Sequence, residues 1–87
     1  MPEEFVLRPG RTMLLWTEKM QRVSFKVRTD VAVSVTCADA TGTVAASPAS
    51  LEHVFAVIVP DERRLKLLVT NASGTRKARG TFEVIRG

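Results

Sequence analysis

The chain has 87 residues, of which 45% are hydrophobic, and its 13 basic and 9 acidic side chains leave a net charge of +4. That length holds one domain with one core, spanning residues 1–87, and that hydrophobic share excludes a disordered chain. A lone cysteine excludes an intramolecular disulfide, and no apolar run approaches the ~20 residues of a membrane-spanning helix.

Met1-Pro2-Glu3-Glu4 is acidic and leads into no apolar run of secretory length. With the single thiol, this predicts a cytoplasmic protein that is not integral to a membrane. Phe5-Val6-Leu7 marks a first strand near residues 4–8, and Pro9-Gly10 turns the chain. Met13-Leu14-Leu15-Trp16 marks a second strand near 11–16. Met13, Trp16 and Met20 also lie at helical spacing, so residues 12–21 admit one short helix.

From residue 22 onward, apolar and polar residues exchange places with a period of two. Val23, Phe25 and Val27 alternate with Arg22, Ser24, Lys26 and Arg28, and Val31, Val33, Val35 and Cys37 alternate with Ala32, Ser34 and Thr36. Successive strand side chains point to opposite faces, so these are strands with one dry and one wet face. Thr29-Asp30 between them reads as a hairpin turn. Asp39-Ala40-Thr41-Gly42 is the next turn, residues 42–46 form a weakly marked strand, and Ser47-Pro48-Ala49-Ser50 reads as a loop.

Leu51 to Val59 is nearly continuous apolar sequence, the mark of a strand covered on both faces or flanked by another subunit. Pro60-Asp61-Glu62 reads as its stop. Leu65, Leu67 and Val69 alternate next, Asn71-Ala72-Ser73-Gly74 turns the chain, and residues 76–86 form the last strand. The expectation is an all-β, single-domain antiparallel β-sandwich of jelly-roll or Greek-key type. It has about eight strands, near 4–8, 11–16, 22–28, 31–37, 42–46, 51–59, 64–70 and 76–86. Its predicted core is Val23, Phe25, Val27, Val33, Val35, Phe55, Val57, Leu67, Val69, Phe82 and Val84.

Pro9-Gly10 ahead of Leu15-Trp16, then Val23-Ser24-Phe25-Lys26-Val27 and Asp30-Val31-Ala32-Val33, resembles the opening of the Golgi-dynamics (GOLD) type of β-sandwich. The stretch from Leu67 to Ser73, followed by Phe82-Glu83-Val84, resembles its end. The resemblance implies a non-catalytic sandwich used for protein or lipid contacts. The cysteine pair, signal peptide and membrane anchor of the secretory members have no counterpart here, and no functional residue carries over.

Chemistry-bearing residues are sparse. His53 shares parity with Leu51, Phe55 and Val57, and Cys37 with Val31, Val33 and Val35, so both read as core groups rather than a catalytic pair. One His and one Cys fall short of a zinc ligand set. Asp30, Asp39 and Asp61 fit backbone-capping turns better than a calcium cluster. The glycines form no phosphate-cradling loop. The expectation is a chain that is no enzyme and takes no cofactor.

Two constellations remain. Trp16, Val54 and Ile58 are the candidate interface, because the 51–59 run exceeds what one small core can bury. Arg22, Lys26, Arg28, Lys77 and Arg79 are the candidate anion-binding set, one basic face if their strands share a sheet. The leading reading is a protein-interaction module that pairs with itself or another protein, as a homo-oligomer or assembly subunit. The alternative is a binder of nucleic acid or anionic lipid through that basic face. A small-ligand or carbohydrate-binding sandwich is a third reading and needs Trp16 exposed.

Overall fold

The computed structural model describes residues 2–86. Strands hold 85% of the described residues, with no helix among them. They comprise β1 (Glu3–Leu7), β2 (Thr12–Asp39), β3 (Gly42–Asn71) and β4 (Ala78–Arg86). All pair antiparallel in one sheet of order β1-β4-β2-β3. Four strands therefore stand where eight were expected, because several expected breaks are bends within β2 and β3.

The helix expected over 12–21 is one such correction. Leu14 pairs with Leu68 and Trp16 with Leu67, leaving Leu15 as an extra residue, and a second shift falls between Met20 and Arg22. A bulge of one residue moves the alternation by one position, so a period of two acquires a local spacing of three. That is how Met13 and Trp16 come to imitate a helix. At the second shift Val59–Glu62 bows out opposite Gln21, whose Nε2 donates to the Pro60 carbonyl at 3.0 Å. Pro60-Asp61-Glu62 is thus a bend in β3, not its stop, and Ser47-Pro48-Ala49-Ser50 likewise lies within β3.

The hairpin expected at Thr29-Asp30 is absent as well. Every odd residue from Val23 to Cys37 is buried, Thr29 included, so β2 runs through without changing faces. A β-branched Thr suits a strand interior. The Asp30 carboxylate, on the wet face, accepts the Arg79 backbone N–H at 2.8 Å. Thr29 Oγ1 is buried with no hydrogen-bond partner among the described residues. Thr29→Val keeps the shape and removes that polar atom. It is expected to stabilise the fold by about 1 kcal/mol, raising the melting temperature by about 4–8 °C in a calorimetric scan.

β2 and β3 meet in four stretches, three of them Thr12–Met20 against Thr70–Arg63, Arg22–Arg28 against Ile58–Glu52, and Val33–Asp39 against Ser50–Gly42. Val33 to Ala38 also pairs with Asn71 to Lys66. Residues 66–71 thereby lie between the two ends of β2. The middle of β2 lies between residues 52–58 and β4, with β1 beyond β4.

The core gathers the odd hydrophobic residues of β2 from Val23 to Cys37 with Val57, Val59, Leu65, Leu67, Val69, Ala78 and Phe82, and with Phe5 and Leu7 from β1. Phe25 is its aromatic hinge, 5.2 Å edge-on from Trp16 and 5.4 Å from Phe55. Of the expected core, only Phe55 and Val84 are partly rather than fully buried.

Candidate functional site

His53 and Cys37 are held as core groups. His53 is 2% exposed. Its Nε2–H donates to the Val33 carbonyl at 2.7 Å, with the Ser50 carbonyl at 3.2 Å, which leaves Nδ1 to accept the Ser47 hydroxyl at 2.6 Å. The imidazole ties the start of the 52–58 stretch to the far end of β2. Ser47, its partner, was not legible in the sequence. Burial, with Asp39 nearby, pushes the Cys37 thiol up to about 11, so it stays protonated and unreactive.

Asp39 closes the β2–β3 turn. Its Oδ1 accepts the Thr41 N–H at 2.8 Å, the Thr41 hydroxyl at 2.6 Å and the Gly42 N–H at 3.2 Å, while Oδ2 takes Arg63 at 3.0 Å. Gly42 has φ of +139°, which a side chain would strain. These bonds, the Thr41 hydroxyl and Arg63 foremost, hold the Asp39 carboxyl down at about 2. An unfolded aspartate titrates near 4. Asp39 thus contributes stability that is fully present above about pH 5 and disappears as pH falls through about 2. The melting temperature of the wild type is expected to drop across that window more steeply than that of Asp39→Asn. Equal slopes would contradict this.

The outward face of the β2 centre carries most of the expected anion set, interleaved with acids. Arg28 stands between Thr81 and Glu52, and is ion-paired with Glu52 at 3.2 Å. Lys26 stands between Glu83 and Val54. Arg22 lies opposite Ile58. Arg79 is at the start of β4 beside Val6, and Lys77 precedes the strand, so parity does not place it. The sheet does bring β2 and β4 together, but acids alternate with the bases on that face.

The apolar set is more compact. Val54 and Ile58 are 65% and 67% exposed, the highest values among the exposed large hydrophobics. Ala56 lies exposed between them, Ile85 sits across Ser24, and Leu51 is exposed at the near end. Trp16 is apart from this patch. It is half-buried, and its Nε1–H donates to Glu18 Oε2 at 2.8 Å. Arg86 and this indole N–H hold the Glu18 carboxyl below its usual range.

Residues 52–58 pair with β2 on one side and with no strand on the other among the described residues. Their register against 22–28 has no bulge. The 51–59 stretch contains no Lys, Arg or Pro. Edge strands are ordinarily blunted by a bulge, a proline or charged side chains, and from Val54 to Ile58 this one carries none of these, its nearest charge being Glu52 at the end of the stretch. No group of three or more His, Cys, Asp or Glu suited to a metal occurs among the described residues, nor does a helix long and apolar enough to cross a membrane. No protein-family model matches the chain, and neither does any curated protein.

Proposed function

We propose that this chain is a non-catalytic β-sandwich interaction module that dimerises through the 52–58 edge of β3. In the proposed arrangement the continuous sheet folds over, so that the stretch holding residues 66–71 and the stretch holding residues 22–28 face each other as two layers. A thickness of 16 Å and the contact of Trp16 from one stretch with Phe25 from the other support that arrangement. The resemblance to GOLD-type sandwiches points the same way. A single, buried thiol suits a reducing, cytoplasmic setting.

The observation that carries the reading is the long, regular, apolar and unguarded edge. Its occupant is a second copy, because the strand is complementary to itself. Antiparallel pairing about Ala56 sets Val54 of one copy against Ile58 of the other on the outer face. On the inner face it sets half-buried Phe55 against Val57. Glu52 then lies opposite Pro60, so no charge meets its like across the edge. Light scattering at about 0.1–1 mM chain is expected to give about twice the 9.6 kDa chain mass. The chain mass alone throughout that range would overturn the reading.

A further inference from the structure

Two loops meet at one end of the molecule. Residues 8–11 join β1 to β2, and residues 72–77 join β3 to β4. The Gly10 N–H donates to the Ser73 carbonyl at 3.0 Å, and the Asn71 N–H to the Arg11 carbonyl at 2.9 Å. The buried Asn71 amide completes the clasp: Nδ2 donates to the carbonyls of Leu7 (3.1 Å) and Arg76 (2.7 Å), and Oδ1 accepts the Ser73 N–H at 2.9 Å.

This clasp gathers charge that lies far apart in the sequence. Arg8 and Arg11 on one loop stand beside Arg76 and Lys77 on the other, with Arg79 following, and all five are exposed. Among the described residues none of the five side chains forms an ion pair. Two acids lie near Arg79: Asp30, which accepts the Arg79 backbone N–H, and Glu4, which borders the same surface hollow. Glu4 lies four residues along β1 from Arg8, roughly 13 Å at strand rise.

We infer that this loop pole binds the phosphodiester backbone of a nucleic-acid duplex. Like charges held this close repel one another, and a row of phosphates relieves that repulsion while releasing counterions. The space where a side chain would stand at Gly10 and Gly74 is open to 4 Å, so a phosphate can approach the main chain there. The loops otherwise expose Ala72, Gly74 and Thr75, with Pro9 half-buried, and hold no aromatic or long aliphatic group. A membrane-surface element sinks such groups into lipid, and a single-strand platform stacks bases on them. Their absence from both loops favours contact with a duplex backbone, without base readout.

The test is fluorescence anisotropy with a labelled random-sequence DNA duplex of about 25 base pairs. Four to five neutralised phosphates give a log–log salt slope of about −4, so affinity falls about 200-fold between about 50 and 200 mM salt. The triple variant Arg8→Gln, Arg76→Gln, Lys77→Gln is expected to reduce the slope to about −1 to −2. A control triple, Arg22→Gln, Lys26→Gln, Lys66→Gln, changes the net charge equally and is expected to keep most of it. Circular dichroism establishes that each variant is folded; should the pole triple not fold, Arg8→Gln alone is expected to lower the slope by about one. The inference is overturned by absence of binding at about 50 mM salt, or by equal slope losses in the two triples. Binding to phosphatidylserine vesicles without binding to the duplex would also overturn it.

Discussion

Ile58→Lys is expected to turn the dimer into a folded monomer. Ile58 and Val54 stand on the same exposed stripe, and each is counted twice in a two-fold contact. Burying a side chain of this size contributes about 2 kcal/mol, so losing both copies of Ile58 removes about 4 kcal/mol of association energy. That is nearly a thousandfold in Kd, before the cost of placing an ammonium opposite Val54. The folded monomer hardly changes, because Ile58 packs against nothing in its own core. The expected result is a mass near 9.6 kDa with an unaltered melting temperature at low concentration. A variant that still forms the dimer would place the contact elsewhere.

Gly80→Ala is expected to damage the fold itself. Gly80 lies in β4 between Phe5 of β1 and Thr29 of β2. A Cβ there would run into the Arg28 carbonyl oxygen and come within 2.6 Å of Thr29 Cγ2. The obstacle is backbone, which cannot swing aside as a flexible side chain does, so β4 must part from β2. Overpacking of this kind costs about 3 kcal/mol, a large share of what a domain of this size has. A fall of about 12–24 °C in melting temperature is expected, and a change under about 2 °C would contradict the close approach.

What was legible in the sequence was the facing of side chains. Val23, Phe25 and Val27 to the inside, Arg22, Lys26 and Arg28 to the outside, follow from parity alone, because alternation is a property of one strand. The unbroken odd parity from Val27 through Thr29 to Val31 was also present, and it outweighs Thr29-Asp30 as a turn signal. Bulges were not legible: Leu15 reads as one more apolar residue until Leu14 and Trp16 are paired with Leu68 and Leu67.

Neighbours across strands were beyond the sequence as well. Parity puts Lys26 and Arg28 on a wet face, but only register sets Glu83 and Glu52 beside them. The same limit hid the clasp of Asn71, whose partners Leu7 and Arg76 lie 64 and 5 residues away. The apolar edge was readable as an excess over residues 51–59. That it is an edge required the sheet order.

Amide hydrogen exchange along β3, followed at two protein concentrations, tests the edge-pairing claim most directly. Pairing between copies gives the outward-facing N–H groups of residues 52–58 a partner only in the dimer. Their protection is expected to rise with concentration, by tenfold or more between about 1 µM and 1 mM, while the amides of β1, at the opposite edge, do not change. Protection of residues 52–58 that is the same at both concentrations would contradict the account.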